Sequence, residues 1–166
     1  MRVRTIIAAA MFSFALALVG CSDPQPKEPD GPTATPTQVA PTLPEAATED
    51  SEEGAVVFVK HYIELLNYAA NTGDVKPLRE ASDPNCEGCT SYADYYVSVY
   101  EQGDTIVGIN WLPSKSAASK IRNGFAVTID VDAKEPANKA VVYHLYFEVS
   151  SVSEPHVILF ERRDQS

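Results

Sequence analysis

The feature that most constrains the fold is a change of hydrophobic period partway along this 166-residue chain. In the second half, Phe125, Val127, Ile129 and Val131 alternate with Ala126, Thr128, Asp130 and Asp132. Val141, Tyr143, Leu145, Phe147 and Val149 alternate in the same way with Val142, His144, Tyr146 and Glu148. A period of two sends successive side chains to opposite faces, so each stretch predicts a strand with one buried and one exposed face. Glu135-Pro136-Ala137-Asn138 between them reads as a turn, which makes the two strands antiparallel.

Upstream the period is helical. Val56, Val59, Tyr62, Ile63, Leu66 and Ala70 recur on one face, and Phe58, Leu65 and Ala69 widen it. Lys60, Glu64 and Asn67 fall on the other side. Ser51-Glu52-Glu53 supplies a cap and negative charge at the start, and Gly73 suits the left-handed C-cap. Asp74 can cap a short second helix from Val75 to Ala81, with Pro77 tolerated in its first turn. Ser82-Asp83-Pro84-Asn85 breaks it. After Cys86-Glu87-Gly88-Cys89, a third helix carries Tyr92, Ala93, Tyr95, Tyr96, Val99 and Tyr100, and Gln102-Gly103-Asp104 closes it.

The β-branched run from Thr105 to Leu112 predicts a strand, and Val157 to Glu161, after a turn at Ser153-Glu154-Pro155, predicts the last one. Residues 114–124 are ambiguous: Asn123-Gly124 is a hairpin signal, so Ala117 to Arg122 is one candidate arm of a ribbon. Helices first and antiparallel strands after predict an α+β fold, with N-terminal helices packed on a curved sheet of about four strands.

The amino-terminal end is of another kind. Arg2 and Arg4 precede an apolar run from Ile6 to Val19, and Leu18-Val19-Gly20-Cys21 follows. The run is about 14 residues, short of the roughly 20 that a membrane span needs, and it has the layout of a secretory signal. Leu-Val-Gly-Cys resembles the lipobox of bacterial lipoproteins. That resemblance implies removal of residues 1–20, a diacylglyceryl group and palmitate-type acylation on Cys21, and a location on the extracytoplasmic face of the cell membrane, held by the lipid anchor. Loss of residues 1–20 removes two arginines and no acid, taking the formal charge from −10 to −12. Residues 22–53 hold seven of the twelve prolines and eight acids against one lysine. Such a composition cannot offset chain entropy by burial, so residues 21–53 are expected to be a lipidated Cys followed by a disordered tether, reaching at most ~100 Å as a polyproline-like spacer. Residues 54–166 then form one globular domain. The acidity argues against nucleic acid as a partner, which needs a basic stripe.

The helices-then-strands order resembles the cystatin-like, nuclear transport factor 2-like cone fold. More specifically, Tyr62-Ile63-Glu64-Leu65-Leu66-Asn67-Tyr68-Ala69, Thr72-Gly73-Asp74 and Ser82 to Cys89 resemble an actinobacterial lipoprotein family, the domain-of-unknown-function family 6318. The resemblance implies a cell-envelope location and a fold, and no activity.

Cys86 and Cys89 are left as a pair once Cys21 is lipidated. In an oxidising compartment a structural disulfide is the favoured reading, with a redox dithiol, a metal site and free thiols as alternatives. A zinc site needs four ligands, and His61, His144 and His156 are scattered on different elements, so neither metal nor cofactor is expected. Tyr62, Leu66, Tyr92, Tyr96, Trp111, Tyr143 and Phe147 converge in a cone fold, either as core or as a pocket for a small apolar ligand. The inward sheet positions are apolar. Asp130, Asp132 and Glu148 fall on the outer face, which argues against proton-abstraction chemistry; Glu64, Asp94 and Glu101 on the helices stay open as acids. Val142, Tyr146, Ile158 and, if it shares that side, Phe160 make the outer face partly apolar around His144 and Glu148, a candidate homodimer or partner surface. The favoured function is a non-catalytic binding module for a small ligand or another envelope protein. The alternatives are a cone-fold enzyme acting on a small hydrophobic molecule and, less favoured, a thiol oxidoreductase.

Overall fold

The computed structural model describes residues 38–106, 109–134, 140–150 and 154–163. The expected signal segment, Cys21, the expected tether as far as residue 37 and the expected turn at 135–138 lie outside them. The described residues form three α-helices and a four-stranded antiparallel sheet: α1 (Glu52–Thr72), α2 (Lys76–Glu80), α3 (Glu87–Glu101), β1 (Leu112–Ile121), β2 (Gly124–Lys134), β3 (Ala140–Ser150) and β4 (Val157–Arg163). The sheet is an open meander in the order β1-β2-β3-β4. The α+β expectation holds.

Ser51 caps α1, its Oγ accepting from the Gly54 N–H at 3.0 Å, and Gly73 ends it in the left-handed region with φ 76°. Asp74 Oδ1 accepts from the Lys76 N–H at 3.0 Å, at the start of α2. The apolar stripe of α1, from Phe58 and Val59 through Tyr62, Ile63, Leu65 and Leu66 to Ala70, is buried. It lies against the inward row of the sheet, where Val127 pairs with Phe147, Ile129 with Leu145 and Val131 with Tyr143. The alternation that predicted β2 and β3 therefore also places their buried sides in register.

The structure departs from expectation in three places. First, no strand forms at Thr105 and Ile106 or from Ile109 to Trp111. The strand begins at Leu112 and runs through the ambiguous stretch to Ile121, where a two-residue connection, Arg122-Asn123, turns into β2. The Trp111 backbone is already taken: its N–H and C=O both bond to the Asn67 side chain on α1. Second, the folded unit starts before residue 54. A 3-10 helix at Glu45–Thr48 packs on α1 and buries Ala47 to 2 % exposure. Ala47 is the buried residue of this turn, which lies within the stretch that composition assigns to the tether.

Third, Phe160 is in the core at 3 % exposure and not on the outer face. Glu148 pairs with Leu159, but Val149 pairs with Val157, so Ile158 is an extra residue in β4. A bulge of one residue reverses which side chains point inward beyond it. Phe160 then faces Phe147, its cross-strand partner.

Candidate functional site

A surface cleft of about 410 Å³ opens where four segments meet. The arm before α1 supplies Pro41 and Leu43, α1 supplies Phe58, His61 and Leu65, and α2 supplies Pro77 and Glu80. Glu154, Pro155 and His156, ahead of β4, close the remaining side. The walls are mostly apolar, and the polar groups are two carboxylates, two imidazoles and the Thr48 hydroxyl.

His61 is the unusual residue here. It sits three residues after Phe58 and four before Leu65, so helical spacing puts it in the apolar stripe rather than on the solvent side. It is 5 % exposed, and its Nδ1 is buried with no hydrogen-bond partner among the described residues. Glu64 Oε2 stands 3.8 Å away, too far for a hydrogen bond, on a side chain that is 58 % exposed. Burial holds the imidazole below its usual pKa, and the Glu64 carboxylate opposes that in part. The ring is therefore neutral at neutral pH, with one N–H and one acceptor nitrogen. A histidine set in a helix's apolar row was the one signal in the sequence that could have located this site.

The seven aromatic and apolar residues expected to line a pocket do come together, as packing partners of one another. Tyr62, Leu66, Tyr96 and Phe147 are at most 1 % exposed, and Trp111 is 8 % exposed. Phe160, brought inward by the bulge, stacks on Phe147 at 4.6 Å and on Tyr92 at 4.9 Å between ring centroids. Tyr92 meets Trp111 at 5.8 Å, and Trp111 meets Tyr143 at 5.9 Å. Burial pushes the Tyr62 and Tyr96 hydroxyls well above their usual pKa. Tyr62 OH donates to Ser82 Oγ at 2.8 Å, since that hydroxyl donates onward to the Leu78 carbonyl at 2.7 Å.

Cys86 and Cys89 are joined by a disulfide at the start of α3, and each is 1 % exposed. Cys86 Sγ also accepts from the Cys89 N–H at 3.3 Å, in the N-cap position. The turn before them is stitched to β4: Asp83 N–H donates to the Val157 carbonyl at 2.8 Å, and Val157 N–H to the Ala81 carbonyl at 3.0 Å. Thiol exchange needs a sulfur that an attacking thiolate can reach. Here the bridge is enclosed, and its effect is on where α3 starts. Among the described residues, no group of three or more His, Cys, Asp or Glu side chains is placed to hold a metal ion.

On the outer sheet face, His144 Nδ1 lies 2.6 Å from Asp130 Oδ1, and Tyr146 OH donates to Glu148 at 2.8 Å. Arg163 stacks over the Tyr146 ring at 3.9 Å. With Phe160 inside, this face is more polar than its sequence suggested, although Val142 remains 49 % exposed. On the helices, Asp94 is bound to Arg79 at 2.7 Å and both it and Glu101 are exposed. None of the three helical carboxylates left open by the sequence faces an enclosed space.

No curated protein and no solved structure matches the chain. A family model matches residues 32–155, a span that holds the buttressing arm, all three helices, the disulfide turn and β1 to β3. The chain belongs to that family, a family of unknown function (DUF6318).

Proposed function

We propose that the chain is an extracytoplasmic lipoprotein: a small, non-catalytic binding module held at the cell membrane through Cys21. The observation that carries this reading is Leu18-Val19-Gly20-Cys21 at the end of an apolar run preceded by Arg2 and Arg4. Two acyl chains or more give stable attachment where one does not. The family match begins at residue 32, so the anchor and the first part of the tether precede the family's common region. A binding role is supported by the placement of ionisable groups. Glu64 and Asp94 lie on exposed helix faces, while the mostly apolar cleft beside His61 brings together Glu80, Glu154 and two imidazoles. The helices-then-meander order fits the nuclear transport factor 2-like cone, which in this reading serves as a scaffold.

The test is the mature protein's mass and location. Expressed in a bacterium that processes lipoproteins, the chain should partition into the membrane fraction. Its N-terminal peptide should start at Cys21 and carry a diacylglyceryl group. Cys21→Ser should abolish both. Retention of Met1, or wild-type protein free in the medium, sinks the proposal.

A further inference from the structure

We propose that the cleft beside His61 binds a small organic cation: a protonated amine on a compact apolar body. This deepens the binding-module reading by naming what the module takes. A volume of about 410 Å³ lies within the range of small-molecule sites. Its floor is apolar through Phe58 and Leu65, and no lysine or arginine lines it. Glu80 and Glu154 line the wall instead, so the local charge favours a cation and disfavours an anion. Lys76 reaches Glu80 at 3.9 Å, but both side chains are largely exposed and such a pair is weak.

His61 supplies the specific contact. The ring is 5 % exposed and lines the cleft, and its buried Nδ1 has no hydrogen-bond partner among the described residues. The carboxylate of Glu64 is nearest to Nδ1 and favours the proton there. The second ring nitrogen, Nε2, is then an acceptor on a ring that forms part of the cleft wall. A neutral imidazole among the lining residues, together with two carboxylates, suits an ammonium N–H. A carboxylate ligand would meet the two like charges of Glu80 and Glu154, with no lysine or arginine among the lining residues.

The probes are benzylammonium, benzyl alcohol and benzoate, which share one apolar body and differ in charge. They are titrated into the full chain in detergent micelles while the His61 imidazole signals are followed by NMR, so partition into micelles does not register. Benzylammonium should shift those signals saturably. Benzyl alcohol should bind about tenfold more weakly, and benzoate should leave the signals unmoved. Glu80→Gln combined with Glu154→Gln changes only rim charge, and should bring benzylammonium down to the level of the alcohol. Equal binding of amine and alcohol, preference for benzoate, silence with all three, or an unchanged affinity in the double variant would each overturn the proposal. The membrane-anchor reading fails separately, through the mass of the Cys21 peptide.

Discussion

Asn67 holds the Trp111 backbone from both sides: its Nδ2 donates to the Trp111 carbonyl at 2.9 Å, and its Oδ1 accepts the Trp111 N–H at 2.9 Å. A side-chain amide paired with a peptide unit reproduces the two-bond exchange of a β-ladder, here between a helix and the residue before a strand. It fixes where the chain stops descending from α3 and starts β1. Asn67→Ala leaves two part-buried backbone groups unpaired, each costing about 1–3 kcal/mol. The expected loss is about 2–4 kcal/mol in urea unfolding. Asn71 makes a long 3.3 Å contact to the Ile109 carbonyl from an exposed position, so Asn71→Ala should lie within ±0.5 kcal/mol. Equal effects from the two substitutions would refute the clamp.

The disulfide should contribute modestly to global stability. The closed loop is very short, and chain entropy gives about 2 kcal/mol for such a loop. Replacing both cysteines with serine should lower stability by about that amount and leave the fold intact by far-UV circular dichroism. In the native protein the buried pair should resist reductant, with alkylation by iodoacetamide appearing only after denaturant is added. Prompt alkylation under native conditions would show an accessible, exchange-competent pair instead.

Gly88, between the cysteines, is required by packing. A Cβ there would run into the Phe160 carbonyl of β4. Gly88→Ala should push α3 off the sheet and cost about 1–3 kcal/mol, as overpacking does, with a loss of near-UV signal from the Tyr92–Phe160 stack. Wild-type stability in that variant would mean α3 and β4 are less closely apposed than the structure has them.

Much of this architecture was legible because its causes are local. The α1 stripe, the Ser51 and Gly73 caps and the alternation in β2 and β3 each follow from side-chain period or backbone conformation within a few residues. What was illegible depends on distant parts of the chain. The extra residue at Ile158 is visible only once Val157 is seen opposite Val149, and it moves Phe160 from the surface into the aromatic cluster. Asn67 looks like a solvent-facing residue until Trp111 arrives against it. The Glu45–Thr48 segment reads as tether by composition, yet it forms a 3-10 helix that buries Ala47 and packs on α1. The cleft was missed for the same reason, since the arm, α2 and residues 154–156 come together only in three dimensions. His61 alone was locally readable, as a polar residue in an apolar row.

That histidine also predicts a pH dependence. Burial lowers the His61 pKa from its ordinary 6.5. Well above pH 6.5 the ring is neutral in folded and unfolded chains alike, and its contribution to stability is constant. As pH falls below 6.5 the unfolded chain takes up a proton before the folded one does, so stability falls until the folded pKa is passed. One proton of difference limits the slope to about 1.4 kcal/mol per pH unit. The charged and titratable neighbours that bear on the ring are Glu64 on α1, Glu80 on α2, and Glu154 and His156 ahead of β4. Urea unfolding between pH 7 and pH 5 should therefore show wild-type protein losing stability faster than His61→Phe, which keeps the apolar packing and cannot be protonated. If the two lose stability in parallel, the imidazole is not held neutral by its surroundings, and the ring is more open to water than its 5 % exposure implies.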